Sequence, residues 1–256
     1  MKRFGGTERE PKSGARFHVP GPLSPGAETL LPPDTAHHAI RVLRLAVDDA
    51  VTLFDGDGGE YLGRVVAVAR GQVRVLASTH RAVERESPVR VTLVQGISSS
   101  ERMDYTVRKC VELGIARVVP VFTRRSVVKL GAERGARRRQ HWQQLCVAAC
   151  EQCGRNQIPP VDEPVDFDHW LGGLGAAGAD EPRLALAASA NLALKTLAAP
   201  AAAMLLVGPE GGLDQTELAM ARSRGFQDVR LGPRILRTET AAVAALAAIQ
   251  TLWGDF

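Results

Sequence analysis

Apolar and polar positions change rhythm once along the chain. From Arg16 to about His80 they read as strands. Val51–Phe54 runs into Asp55-Gly56-Asp57-Gly58-Gly59, a strong turn signal, and Tyr61–Val68 and Val73–Leu76 follow, split at Arg70-Gly71. Inside this stretch Asp34–Leu43 has helical spacing, with Asp34 placed to cap it. The pattern predicts a small β-rich module over 15–80 with one helix. The charged run 81–88, ending in Pro88, reads as a linker, and residues 1–14 as a disordered leader.

After Pro88, strands alternate with helices. Val89–Val94 is a β-branched strand, and Ser98 with Glu101 three residues on predicts a capping box opening a helix. Met103, Val107, Cys110 and Val111 form its apolar stripe, and Gly114 closes it. Val118–Phe122 is the next strand and Ala136–Cys153 a second helix. Leu184–Ala188, Met204–Val207 and Val229–Leu231 are short buried strands. Asp214 and Glu217 make another capping box, for a helix ending at Gly225, and a last helix runs from about Thr238 to Trp253. This alternation predicts an α/β domain over 89–256 around a mainly parallel sheet. Gly172–Asp180 is a flexible loop without a site.

Composition narrows the class. Among 256 residues, 45% are hydrophobic and 23% charged, which excludes disorder, collagen and coiled coil as the main architecture. No apolar run approaches the roughly 20 residues of a membrane helix, so no membrane partner is expected. The first residues lack the apolar core of a secretory signal, and four cysteines are too few for a disulfide scaffold, so a cytoplasmic protein is expected. Net charge is +4, and only five of the 32 basic residues are lysine. Arginine enrichment has two explanations, a GC-rich genome or a need to grip phosphates with bidentate forks.

The chemistry gathers near the C-terminus. Met204–Val207 enters Gly208-Pro209-Glu210-Gly211-Gly212 ahead of a helix, the setting of a phosphate loop. It has neither a GK[ST] ending nor GxGxxG spacing. Glu210 inside the turn would repel a phosphate and suits a ligand bearing positive charge, such as S-adenosylmethionine with its sulfonium and amino groups. A tight structural turn accounts for the same residues without a ligand. Val229–Leu231 then enters a second turn at Gly232-Pro233. Two such strand ends make one crevice at the carboxyl edge of a sheet, where open α/β folds bind ligands. Cys146, Cys150 and Cys153 spell CxxxCxxC, an iron–sulfur spacing, but His141–Cys153 reads as unbroken helix. Residues seven apart on a helix are about 10.5 Å apart along its axis, too far for one cluster, so core packing is the simpler role and no metal is expected.

The pieces GPEGGLDQTEL (208–218) and LGPRILRTETAA (231–242), in this order, resemble the SPOUT methyltransferases. More narrowly they resemble the bacterial 16S ribosomal RNA uracil-N3 methyltransferase family. RFH (16–18), HAIRVLR (38–44), RKCVELG (108–114), FTRRS (122–126) and CEQCGR (150–155) match that family's other blocks, so the resemblance covers about residues 16–254. It implies a knotted SPOUT-type α/β domain with a mainly parallel sheet, preceded by a small PUA-like β-barrel. It also implies a homodimer with composite sites, using S-adenosylmethionine on a uridine in the decoding region of 16S rRNA within the small ribosomal subunit.

The resemblance further implies that Ala187, Val207, Gly208, Pro209, Glu210, Gly211, Gly212, Leu231, Gly232, Ile235, Leu236 and Arg237 hold the cofactor. Gly208, Gly211 and Gly232 would permit close approach, and Leu231, Ile235 and Leu236 would wall the adenine. Uracil N3 carries a proton at neutral pH, so the site needs a proton acceptor or a cation that stabilises the uracil anion. Arg237 and Arg155 are the candidates for such a cation. Arg237 could instead pair with Glu239 or Glu210, and Arg155 could instead cap a helix C-terminus. For RNA the candidates are Arg16, Arg41, Arg44, Arg102, Lys109, Arg124, Arg125 and Arg155, with Arg41 and Arg44 three apart on one helix face. The role of the basic run Arg134–Arg139 stays open, and no residue is assigned as proton acceptor. Two other functions compete: a non-catalytic RNA-binding assembly factor on the same fold, and a related knotted methyltransferase acting on tRNA.

Overall fold

Alternating side chains build the first third of the chain into a mixed five-stranded sheet. The molecule, a computed structural model, is described over residues 14–126, 132–178 and 180–256, so the leader expected at 1–14 lies outside the described residues except for Gly14. It divides into two units, one comprising the chain through Arg85 together with Gly154–Gln157, the other Glu86–Cys153 and Ile158–Phe256.

In the first unit, β1 (Ala15–His18), β2 (Glu28–Leu30), α1 (Pro33–Arg41), β3 (Ala50–Phe54), β4 (Glu60–Ala69) and β5 (Gln72–Arg81) follow in sequence. The sheet order is β1-β3-β4-β5-β2, with β1 parallel to β3 and the other pairs antiparallel. Asp55–Gly59 turns β3 into β4 as the sequence predicts. Arg70 and Gly71 both adopt positive φ (50° and 78°), the geometry of a tight hairpin turn between β4 and β5. Phe17, Leu53, Val65, Val73 and Val75 meet Ala36 and Ala39 of α1 in the core. Helix α1 departs from expectation at both ends. Its N-cap is Pro32 and Pro33 opens it, because a fixed φ near −65° is already helical. Asp34 therefore lies inside the first turn. The helix stops at Arg41; Arg44 turns left-handed (φ 54°) and Leu45 enters the core, so Arg41 and Arg44 do not share a helix face.

A buried ionic hub ties this unit together. Arg16 Nη1 lies 2.7 Å from Glu60 Oε2, and its Nη2 donates to the Arg155 carbonyl (2.9 Å) and to Asn156 Oδ1. Its guanidinium carbon sits 4.3 Å from the centre of the Phe54 ring. Arg85 (3.2 Å) and Arg81 (3.5 Å) also reach Glu60, and Asn156 Nδ2 donates to the Val83 carbonyl. Residues 81–85, expected as linker, are thus fastened to the first unit.

The second unit contains β6 (Arg90–Gly96), α2 (Ser100–Glu112), β7 (Arg117–Phe122), α3 (Ala132–Cys153), β8 (Val165–Asp166), α4 (Phe167–Gly172) and β9 (Arg183–Leu186). It continues with β10 (Leu192–Ala193), β11 (Ala202–Val207), α5 (Gln215–Ser223), β12 (Phe226–Arg230) and α6 (Thr238–Trp253). All seven strands are parallel, in the order β10-β12-β9-β11-β6-β7-β8. Val94, Val121 and Leu206 meet Phe167, Leu171 and Leu218 in one core cluster. After β12 the chain crosses back to pack α6 against α2 and β11. At that crossing Thr238 donates to the Gly208 carbonyl (2.6 Å), and Gln95 Nε2 donates to Thr238 Oγ1 (3.0 Å). Helix α3 runs unbroken through Cys146, Cys150 and Cys153; the first two are buried, and burial pushes the thiol of neighbouring Cys110 up to about 12.

Burial alone would raise the Glu60 carboxyl, but Arg85 and Arg16 outweigh it and hold the group below its ordinary value. Its contribution to stability is therefore complete above the unfolded pKa and lost as pH falls through the lower folded value. Glu60→Gln should cost about 3 kcal/mol at neutral pH, by stranding the Arg16 charge, and flatten the acid limb of the unfolding curve. Urea titrations from pH 7 to 3 check both.

Candidate functional site

Four strand ends carry the residues that matter. β11 leaves the sheet into Gly208–Gly212, β9 into Ala187 and Ala188, and β12 into Leu231–Leu236, while the end of β6 lies in register with β11. A Cβ on Gly208 would come within 2.7 Å of the Leu213 nitrogen, and one on Gly96 within 2.6 Å of the Pro209 nitrogen. A Cβ on Gly211 would meet Arg125 at 3.0 Å. The smallness of Gly208 and Gly211 is thus used by the protein's own close packing, apart from any ligand. Gly232 differs: its φ of 116° requires glycine, and the space beside it is open. The capping box at α5 forms as predicted, with Glu217 N–H on Asp214 Oδ1 (2.7 Å) and Asp214 N–H on Glu217 Oε2 (2.8 Å).

These segments enclose a cleft of about 260 Å³. Ala187, Val207, Gly208, Pro209, Glu210, Gly211, Gly212, Leu231, Gly232, Ile235 and Leu236 all line it. Arg237 does not; it is the N-cap of α6 and its side chain is exposed. Sequence reasoning missed Leu186, Ala188, Val229, Arg230, Arg234, Thr238 and Ala241, which also line the cleft. Most flank the predicted residues by one or two positions, so only the extent of the turns was undervalued.

Electrostatics at the cleft centre on Glu210. Its Oε1 accepts from the Ser99 N–H (2.8 Å) and lies 3.2 Å from Arg102 Nη1. Ser99 is the N-cap of α2 and makes no side-chain cap of its own, so the box predicted from Ser98 and Glu101 does not form. A carboxylate from a distant turn takes its place at the positive end of the helix. Burial would raise the Glu210 carboxyl, but the Ser99 amide and Arg102 outweigh it and hold the group below the usual carboxylate range. Arg102 also reaches Glu239 (3.9 Å). The two acids that the sequence offers to Arg237 are therefore taken by Arg102, and Arg237 makes no ion pair among the described residues.

A family model described as an RNA methyltransferase domain matches residues 85–250, and one described as an RNA methyltransferase PUA domain matches residues 31–77. The chain belongs to the RNA methyltransferase family. Its parallel sheet is the knotted SPOUT-type methyltransferase domain, preceded by a PUA-like barrel. It is 39% identical to a ribosomal RNA small subunit methyltransferase E from Neisseria gonorrhoeae solved with S-adenosylmethionine, with a TM-score of 0.87 over 94% of this chain and 99% of that one. A Legionella pneumophila structure in complex with the same cofactor gives 36% identity and a TM-score of 0.89 over the same shares. The ribosomal RNA small subunit methyltransferase E of Mycobacterium bovis is 32% identical over 92% of this chain and 91% of its own.

For an RNA methyltransferase, the arginines expected on RNA are placed unevenly. Arg41 is exposed on α1, and Arg44 lies beyond it in the left-handed turn. Arg16 and Arg155 are withdrawn: Arg16 sits in the ionic hub, and Arg155 is 4% exposed inside the first unit. Arg155 is therefore removed as a catalytic candidate as well. The Arg125 guanidinium donates to the Gly211 carbonyl (2.8 Å), and Arg124 reaches Asp214 (3.4 Å) and Asp168 (3.7 Å), so both brace the glycine turn and α5. Lys109 pairs with Glu112 (2.8 Å) on the polar face of α2. In the basic run, Arg134 and Arg137 are exposed, whereas Arg139 donates to the Val161 carbonyl (2.9 Å).

Because a Cβ at Gly96 would collide with the Pro209 backbone, Gly96→Ala should destabilise the second unit by about 1–3 kcal/mol. Denaturant unfolding measures it. An unchanged midpoint would show that the turn moves aside freely.

Proposed function

We propose that this chain uses S-adenosylmethionine to methylate N3 of a uridine in the decoding region of 16S rRNA, acting on the small ribosomal subunit as a cytoplasmic homodimer. The observation that carries the reading is the cleft between two glycine turns. Its lining includes the acid Glu210, the basic residues Arg230 and Arg234, and the apolar residues Val207, Leu231 and Leu236. S-adenosylmethionine bears cationic and anionic groups together with an adenosine, and this lining matches all three, whereas a triphosphate tail would meet Glu210 unfavourably. The two relatives described with that cofactor support the same choice.

Bound there, the cofactor supplies a methyl group on a positively charged sulfur. The chain's own residues supply position and charge. Peptide groups of the two turns would hold the ligand, and the apolar walls would take its adenine. Arg237, exposed at the head of α6 and unpaired among the described residues, can approach a base brought to the cleft. Its cation would stabilise the oxygen charge that develops as N3 loses its proton. Ile235 at the lip is 88% exposed, an apolar side chain that RNA or a second copy would cover.

Small subunits lacking the modification, incubated with protein and labelled methyl donor, should acquire label on one 16S uridine at N3. Label on tRNA alone would overturn the substrate. No calorimetric binding of S-adenosylmethionine would favour a non-catalytic assembly factor. Arg237→Ala should lower turnover by about 10²-fold while leaving the melting temperature unchanged; equal loss of both would make the residue structural. Binding to the subunit should weaken steeply with salt.

A further inference from the structure

Arg102, expected on RNA, has two carboxylates within reach. Its Nη1 lies 3.2 Å from Glu210 Oε1 and its Nε 3.9 Å from Glu239 Oε1. Glu210 belongs to the glycine turn after β11, and Glu239 to the first turn of α6. Both segments border the cleft, the turn through Gly208–Gly212 and the helix through Thr238 and Ala241. One guanidinium therefore bridges two cleft edges that are joined otherwise by the Thr238 hydroxyl on the Gly208 carbonyl.

The two carboxylates are only 19% and 17% exposed, and in each the Oε2 is buried with no hydrogen-bond partner. Such groups are poorly screened by water. Without a cation between them, like charges this desolvated repel and would push the turn and the helix head apart. A rigid planar fork can serve two acceptors at once in a way an ammonium cannot. Arg102 is itself on α2, whose N-terminus receives Glu210 through the Ser99 amide, so the strut is anchored on a helix rather than a loop.

We propose that Arg102 is a positioning residue for the cofactor, holding the glycine turn and the head of α6 at the spacing the ligand requires. The inference rests on the reading that S-adenosylmethionine occupies this cleft, and the test separates the two. Calorimetry measures S-adenosylmethionine binding to wild type, Arg102→Ala, Arg102→Lys and the double variant Arg102→Ala/Glu239→Gln. Binding to unmethylated small subunits is measured alongside. Arg102→Ala should weaken cofactor binding by about tenfold, and Arg102→Lys by less. Removing one of the two opposed charges should restore most of the loss, a rescue that a merely structural arginine would not show. Unchanged cofactor affinity with weakened subunit binding would make Arg102 an RNA contact and overturn the proposal. A loss that Glu239→Gln does not relieve would overturn it too. Wild type that binds no cofactor would instead overturn the assignment of the ligand to the cleft.

Discussion

Everything at the cleft depends on a crossing of backbones. The end of β6, the turn after β11 and the head of α6 pass one another at Gly96, Gly208 and Thr238. At Gly96 and Gly208 there is no room for a side chain. Where chains cross this tightly, side chains satisfy the carbonyl groups from within: the Thr238 hydroxyl donates to Gly208 and the Gln95 amide to Gly96. The glycine turns are thus first a solution to packing. Their capacity to bind a ligand follows from the open side of the same geometry.

Charge is arranged around that crossing in an unusual way. Helix α2 begins without help from its own sequence, and a carboxylate more than a hundred positions later completes it. The acid that suggested a cationic ligand therefore has a structural duty as well. One oxygen meets the helix and the other is buried without a hydrogen-bond partner, so what the acid offers the cleft is its charge.

Much of this was legible in the chain before folding. Periodicity located the principal strands and helices of the second unit, and the Asp214–Glu217 box formed as spelled, because such signals are local and depend on residues three or four apart. The cleft-lining residues were legible because glycine and proline mark strand ends. The short pieces β8, β10 and α4 were not, since two to six residues carry too little pattern and exist through tertiary contact. The arginines were the poorest guide. Nothing in the local sequence distinguishes Arg41, which faces solvent, from Arg16, whose guanidinium is enclosed by residues 44 and 140 positions away. The Ser98–Glu101 motif misled because the helix is capped one residue later, at Ser99, whose amide meets a remote carboxylate.

The hub around Arg16 also bears on how the molecule is made. Two of its acceptors, the Arg155 carbonyl and Asn156, are encoded after the first strands and helices of the catalytic domain. As the chain emerges from a ribosome, the amino-terminal barrel stays unfinished, with a cation awaiting its last oxygens, until the long third helix has been translated. Vectorial synthesis thus cannot complete the two halves one after the other. The barrel acquires its final closure only when much of its neighbour already exists, and a fragment cut at the apparent domain boundary would lack the piece that seals it.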